Sequence, residues 1–368
     1  MNRYDRQIRV SKIGLTGQQK LHNSRLLLVG CGALGTYAAE QLVRGGVGEL
    51  ILVDPDTVDL TNLQRQTLFT VADVQAKRHK VTACTEALSA IDPAIKVTPL
   101  AMTFDQALFQ ELGKLDLVLD CTDNFLVRTS INSFCLEKNL PFIFAACGGT
   151  SGQVMALQPA YGPCLQCVFP QMAELTEKSC ETIGVITPLI PLVSALQVGL
   201  AYRCLLEPEK MDWQTLLVTD VWSGELQRFK IRKKEECPSC GKKTDLQIKR
   251  PLKKVCGHIY QGQLAAPVSL TELAAISTAA GWPCRQNKLA LLIQLHSKTS
   301  TERQLVQENE GHSQDTQTAD SESHAVKEEK LPSITIFRNG RALFYDFPDE
   351  AFAAQLYELL QSPPQSLF

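Results

Sequence analysis

The chain has little charge of either sign left over. Across 368 residues, 37 Lys and Arg stand against 39 Asp and Glu, a net charge of −2. A balance this even implies no polybasic surface, so nucleic acid as the main ligand is not indicated. The amino end, MNRYDRQIRVSKIG, carries four basic residues with no apolar run behind them, which argues against a signal peptide. No long apolar run is unbroken. The most membrane-like stretch, Val185 to Leu206, contains Pro188, Pro191, Gln197 and Arg203, and is expected to be a core helix rather than a span. Histidine is scarce: His22, His79, His258, His296, His312 and His324 show no ligand spacing, and none is assigned a catalytic role. No internal repeat is visible. The 13 cysteines are odd in number and scattered, which points away from a disulfide framework and toward free thiols, metal ligation or catalysis in a reducing compartment. A cytoplasmic location is the expectation.

What is present is an ordinary globular composition, 44% hydrophobic, and an alternation of apolar runs with helical patterns. Arg25 to Gly30 (RLLLVG) reads as a strand, Ala33 to Arg44 as a helix and Leu50 to Asp54 (LILVD) as the next strand. A helix around Ala76 to Ala90 follows, then strands near Lys96 to Leu100, Leu115 to Asp120 and Pro141 to Ala146. The strands are continuous apolar runs, as in a parallel sheet covered on both faces. This rhythm predicts a doubly wound α/β domain. From Gln153 the segments QVMAL, LLVTDVW and LQRFKI would extend the sheet with antiparallel strands, giving a first domain over residues 1–245. A small α+β domain over 251–368 is expected to hold a helix capped at Ser269 with Glu272, a hairpin turning at Asn339–Gly340 and a closing helix from Asp349 to Leu360. Residues 297–330 are polar and poor in large apolar side chains, and read as a disordered insertion.

Chemistry concentrates in the first domain. Gly30-Cys31-Gly32-Ala33-Leu34-Gly35 is a GxGxxG element between a strand and a helix, where glycines let backbone approach phosphate and the helix N-terminus favours negative charge. Asp54 closes the next strand, where an acid commonly binds ribose hydroxyls. These features alone fit an NAD enzyme as well as an ATP enzyme. The next segment separates them. Asp54-Pro55-Asp56 leads into Thr61-Asn62-Leu63-Gln64-Arg65-Gln66, and Lys80 starts a helix; Asn62, Arg65 and Lys80 are donors suited to a triphosphate and its departing pyrophosphate. Asp123 and Asn124, in DCTDN, follow a strand at its carboxyl end, where a carboxylate can hold Mg²⁺ between phosphates. Cys164-x-x-Cys167 and Cys237-x-x-Cys240 supply four thiolates at the spacing of a closed tetrahedral Zn²⁺ site; the plainer alternative is four free thiols. Cys180 lies in the polar stretch TEKSCETIGVITP near Lys178, where a thiol can be nucleophilic; an ordinary loop thiol is the alternative. Cys84, Cys135 and Cys204 fall on helical patterns and are expected in the core.

At RYDRQI, GCGALG, the D-x-D at Asp54, NLQRQ, DCTDN and the two Cys-x-x-Cys pairs, the chain resembles the MoeB/ThiF/HesA family, relatives of the ubiquitin-activating enzymes. The resemblance covers about residues 3–241. It implies a Rossmann-like fold with a zinc-stapled loop pair, ATP with Mg²⁺ at the active site, and adenylation of the C-terminal glycine carboxylate of a small ubiquitin-like sulfur-carrier protein ending in Gly-Gly, with release of pyrophosphate. Gly30, Gly32, Ala33 and Gly35 would form the nucleotide turn, Asp54 and Asp56 the ribose end, Asn62, Arg65 and Lys80 the phosphate contacts, and Asp123 with Asn124 the metal side. Arg6 would reach across a homodimer into the partner's site. In some members the cysteine matching Cys180 forms a sulfur-linked adduct with the carrier. Two departures stand out: Ala33 occupies a position where the family often has glycine, and the DVQAKRHK approach is about two residues longer than usual, leaving Lys77 or Arg78 as substitutes for Lys80. The tail shows no rhodanese-like cysteine loop, so a separate sulfur donor such as a cysteine desulfurase or rhodanese is expected. The pathway served, whether molybdopterin, thiamine or transfer-RNA thiolation, stays open. Rival readings are an NAD-dependent oxidoreductase, an enzyme adenylating a modified adenosine in transfer RNA, and a non-catalytic zinc-stapled binding protein.

Overall fold

Leu26, Leu28, Leu50, Leu52, Leu117, Leu119 and Ile143 are buried on one face of a central sheet, and the alternate residues Leu27, Ile51, Val118, Phe142 and Phe144 are as fully buried on the other. Burial on both faces is why these strands read as unbroken apolar runs, and each such side chain contributes about 1.5–3 kcal/mol by leaving water. The computed structural model describes residues 3–361 except 109, 111, 171–183, 242–249, 257–258, 265–267, 280, 296–330, 339 and 348. The chain divides into two compact units, Met1–Asp245 and Leu246–Phe368.

The first unit carries an eight-stranded sheet in the order β3-β2-β1-β4-β5-β6-β7-β8. Its strands are β1 (Arg25–Val29), β2 (Glu49–Val53), β3 (Lys96–Leu100), β4 (Leu117–Asp120), β5 (Phe142–Gly148), β6 (Ser151–Leu157), β7 (Thr215–Asp220) and β8 (Glu225–Lys230). Strands β1 to β5 pair in parallel, and β6 to β8 continue the sheet antiparallel. Strand order reverses between β1 and β4, the place where open α/β sheets form a crevice at the strand carboxyl ends. Val29 lies opposite both Val53 and Asp120, so the residues following β1, β2 and β4 share one rim.

Helices Ala33–Arg44, Lys80–Ile91 and Leu189–Leu206 pack on the first face. The last is long and apolar enough to cross a membrane by length and composition, yet it packs against the helix Ala33–Arg44 and against β5 and β6, and it buries Ser194 and Gln197. Cys84, Cys135 and Cys204 lie buried in helices. Several strand ends differ from the sequence expectation by one or two residues, and one helix differs more. The helix read from Ala76 is two: Val71–Gln75 ends first, Lys77 adopts a left-handed φ of 48°, and the second begins only at Lys80. The longer approach to Lys80 is absorbed in that turn.

The second unit is a six-stranded sheet in the order β11-β12-β13-β14-β10-β9, built from β9 (Arg250–Cys256), β10 (Ile259–Gln263), β11 (Cys284–Gln286), β12 (Ala290–Gln294), β13 (Ser333–Phe337) and β14 (Arg341–Tyr345). Helices Leu270–Ala279 and Glu350–Gln361 accompany it, and the Glu272 amide donates to Ser269 Oγ at 3.3 Å. Strands β13 and β14 pair antiparallel as a hairpin, with Gly340 at φ 84° in the turn; Asn339 lies outside the described residues, as does all of the stretch 297–330 read as a disordered insertion. Four strands here, β9 to β12, have no counterpart in the sequence expectations.

Candidate functional site

The rim is built from three turns. In the first, Gly30 (φ 92°) has the Cys121 carbonyl oxygen 2.8 Å from where a Cβ would sit, and a Cβ on Gly35 would lie 1.9 Å from the Gly30 carbonyl oxygen. These two glycines let strand and helix meet. Gly32 is different: a Cβ there would approach no protein atom more closely than 3.7 Å, and that atom is Gln66 Nε2. Gly32 precedes the helix Ala33–Arg44, whose start has no side-chain cap, so its first amides are available to an anion. Ala33 is the first residue of that helix.

In the second turn, Asp54 Oδ2 accepts from the Cys31 amide at 2.7 Å and Oδ1 from the Asp56 amide at 2.9 Å. The carboxylate thereby ties the glycine turn to the D-x-D turn. Burial raises the Asp54 pKa to about 6; Lys80 and the two amides oppose the rise, and Asp56 adds to it. Lys80 Nζ donates to Asp56 Oδ2 at 2.8 Å. Burial pulls the Lys80 ammonium down, but Asp54, Asp56 and Asp123 outweigh it and hold the pKa raised. Asp54, Asp56, Lys80 and Asp123 therefore share one electrostatic neighbourhood. Arg78 is engaged elsewhere, with Asp73 at 3.3 Å and with Glu86, and Lys77 is exposed; of the three cations weighed from sequence, Lys80 is the one set between Asp54 and Asp56.

Asn62 and Arg65 lie on the segment after the D-x-D. Asn62 Oδ1 accepts from the Asp59 amide at 3.3 Å, and Arg65 Nη1 donates to the Thr61 carbonyl at 3.0 Å, so both are held by local turn bonds. Gln64 Oε1 accepts from Thr187 Oγ1 at 3.1 Å, which ties this segment to residues just before the helix Leu189–Leu206.

In the third turn, Asp123 is exposed and Asn124 is the N-cap of the helix Phe125–Lys138, its Oδ1 accepting from the Leu126 amide at 2.7 Å. Below lies a buried polar cluster that sequence reasoning missed. Asp120 Oδ1 accepts from the Thr122 amide at 3.0 Å and from its hydroxyl at 2.7 Å. The Arg128 guanidinium stands 3.4 Å from Asp120 Oδ2, donates to the carbonyls of Thr122 and Ala145, and lies over the rings of Phe125 and Phe144. Gln197 donates to the carbonyls of Asp120 at 2.9 Å and Ile143 at 3.0 Å. These bonds fix the loop that carries Asp123. The sequence signal was a single long polar residue, Gln197, in a mostly apolar helical pattern; Arg128 stands among other polar residues and carried none.

Arg6 sits on the short helix Asp5–Ile8 and is exposed. Its neighbours dock that helix: Tyr4 Oη donates to Asp92 Oδ2 at 2.7 Å, Arg3 pairs with Asp92 at 3.3 Å, and Gln7 donates to Gln18 and to the Gly45 carbonyl. Among the described residues no ion pair engages Arg6. Cys180 lies outside the described residues.

A second site forms where the two Cys-x-x-Cys pairs meet. The sulfurs of Cys164, Cys167, Cys237 and Cys240 all lie within 4.8 Å of one another, with Cys164–Cys237 at 3.6 Å, Cys167–Cys240 at 3.5 Å and Cys164–Cys167 at 4.0 Å. Four sulfurs bound tetrahedrally at about 2.3 Å from a zinc ion are roughly 3.8 Å apart, so the donor set fits that ion. Lys234 directs its amide at Cys167 Sγ, 3.5 Å away, and the Leu165 amide donates to the buried Asn132 Oδ1 at 2.9 Å. Gly241 closes the second knuckle where a Cβ would lie 2.3 Å from the Glu235 carbonyl oxygen.

A doubly wound sheet with a glycine turn, buried acid and lysine at its switch point defines the nucleotide-binding class of α/β proteins. Within that class the chain belongs to the ThiF family, whose model matches residues 4–239, and it is an adenylyltransferase. It is 39% identical over 241 residues to the sulfur carrier protein ThiS adenylyltransferase of Escherichia coli, covering 65% of this chain and 94% of that protein. It is 36% identical over 243 residues to the molybdopterin-synthase adenylyltransferase of the same organism, covering 66% and 96%. Among solved structures, the crystal structure of E. coli MccB with ATP matches with a TM-score of 0.56 at 22% identity, over 66% of this chain and 75% of that one, a likeness of fold. Membership in an adenylyltransferase family leaves the oxidoreductase reading without support.

Proposed function

We propose that this chain uses ATP to adenylate the C-terminal glycine carboxylate of a small ubiquitin-like sulfur-carrier protein, releasing pyrophosphate. The observation that carries the reading is the gathering of Asp54, Asp56, Lys80 and Asp123 at the switch-point rim around Gly30–Gly35. The likeness to enzymes named for ThiS and molybdopterin synthase supports a carrier protein as substrate.

Asp54, held by two amides, would accept from ribose hydroxyls. The uncapped start of the helix at Ala33 would take the phosphates, and Lys80, Asn62 and Arg65 would offset the charge of the departing pyrophosphate. The attacking carboxylate is already an anion at neutral pH, so no side-chain base is required; alignment and cationic stabilisation supply the rate. Asp123, with Asn124 beside it, would hold a Mg²⁺, which neutralises phosphate charge when bound. Arg6 would act in the partner subunit of a homodimer as a cation supplied in trans. Zn²⁺ on the four clustered cysteines would be structural, a closed site that fixes loops. Cys180 would act, if at all, after the adenylate forms. Sulfur would come from a separate donor such as a cysteine desulfurase or rhodanese, in the cytoplasm.

The test is exchange of labelled pyrophosphate into ATP. Exchange is expected with a carrier ending in a free Gly-Gly carboxylate, none is expected when that carboxylate is amidated, and Asp123→Ala should nearly abolish it. Exchange that runs equally well with no carrier would sink the carrier reading and point to another acid or to a transfer-RNA adenosine.

A further inference from the structure

Phe169 stands two residues after Cys167, and its ring meets two others in T-shaped contacts. Phe125 is 5.4 Å away between centroids with 77° between the planes, and Phe144 is 5.3 Å away with 63°. Those are the two rings over which the Arg128 guanidinium lies, at 4.8 and 5.0 Å. The three aromatics come from three elements: the first residue of the helix Phe125–Lys138, strand β5, and the residue that closes the helix Leu165–Val168.

Arg128 needs such a brace. It is buried with Asp120, yet Arg128 Nε and Asp120 Oδ2 stand 3.4 Å apart and neither makes a hydrogen bond. Coulomb attraction sets a distance and carries no direction. The guanidinium is therefore oriented by the carbonyls of Thr122 and Ala145 and by the faces of the two rings. Its bond to the Thr122 carbonyl fixes the residue before Asp123, and on the other side Asn124 caps the helix that opens with Phe125. Asp123 itself is exposed, and among the described residues its carboxylate makes no hydrogen bond or ion pair. Its place is set by its neighbours in the chain, and both lead back to the rings that Phe169 braces. Phe169 is in turn fixed from the cysteine knuckle: its amide donates to the Leu165 carbonyl at 2.9 Å, and the Leu165 amide donates to Asn132 on the helix Phe125–Lys138. A leucine at 169 would fill much of the same space, but it lacks the flat ring that holds two others at a defined angle.

We infer that Phe169 is a positioning residue for the adenylation site: it holds the Phe125 and Phe144 rings about Arg128 and thereby sets Asp123. The inference rests on the reading of Asp123 as the Mg²⁺ ligand above.

The experiment uses Mn²⁺ in place of Mg²⁺. Its binding to the full chain is measured by electron paramagnetic resonance in the presence of an ATP analogue with a methylene bridge between the α- and β-phosphates. Zinc content and thermal unfolding are measured alongside. Phe169→Leu should weaken Mn²⁺ about tenfold and raise the half-saturating Mg²⁺ in pyrophosphate exchange by a similar factor. It should leave metal-free binding of the analogue within twofold. Phe169→Tyr, which keeps the ring, should restore both metal readouts. A lower unfolding midpoint with unchanged Mn²⁺ affinity makes Phe169 structural only and overturns the inference. Loss of zinc from Phe169→Leu overturns it as well, and so does a tyrosine variant as weak as the leucine one. Phe169→Met serves if the leucine variant does not fold. Asp123→Ala that binds Mn²⁺ like wild type defeats the Asp123 reading itself, an outcome distinct from a Phe169 variant that binds normally while Asp123→Ala does not.

Discussion

At the scale of single residues, three glycines within one turn answer to different demands. A Cβ at position 35 meets the Gly30 carbonyl at 1.9 Å, so Gly35→Ala should force strand and helix apart and cost about 3 kcal/mol or more, read by urea unfolding. Gly32→Ala should unfold at nearly the wild-type midpoint yet lose ATP binding, because its methyl group fills space that the fold leaves open. Equal stability loss in the two variants would contradict that division. The buried acid beside them makes a pH prediction. Its folded pKa is raised from the ordinary 3.8 to about 6, so the folded state binds the proton more tightly than the unfolded one. The stability from this group is fully present below about pH 4 and is lost as pH rises through 6; across that window it amounts to no more than about 3 kcal/mol. In Asp54→Asn that part of the pH dependence should vanish, which unfolding curves at a series of pH values would register.

At the scale of elements, the glycine turn, Asp54 and Asp123 were legible because they follow strand ends, which are marked by apolar runs followed by Gly or Asp. The helix Ala33–Arg44 and the strand Lys96–Leu100 were read with their observed bounds. Periodicity failed where tertiary contacts decide. The break at Lys77 depends on a left-handed turn that an apolar count does not see. Strands β9 to β12 are short, and a run such as ALLIQ fits either a strand or a buried helix. The cysteine knuckles were legible from spacing, and their meeting is a tertiary fact. Purified chain should carry about one zinc ion. Cys237→Ala should lose it and several kcal/mol of stability, while ATP affinity at low temperature holds. Metal analysis of freshly prepared wild type showing no zinc would contradict the assignment.

At the scale of the whole molecule, the amino-terminal helix matters most. Tyr4, Arg3 and Gln7 fasten it to the core while Arg6 is left exposed. If that cation completes a neighbour's site, Arg6→Ala chains mixed with Asp123→Ala chains should recover part of the pyrophosphate exchange, since one site in each mixed dimer regains both groups. Mixed dimers as inactive as either parent would show that Arg6 does not act in trans.

The sulfur cluster also has a history written into it. Its two halves are 73 residues apart in the chain, so at 5–20 residues per second the ribosome delivers the second pair roughly 4 to 15 s after the first. Until then Cys164 and Cys167 are an incomplete dithiol, open to oxidation or to capture by a thiol-seeking ion other than the intended one, while β1 to β6 have already emerged. If the four cysteines hold zinc, as proposed, its capture is a late event in the biogenesis of this unit, and cells short of zinc should accumulate chains whose two cysteine pairs are unjoined.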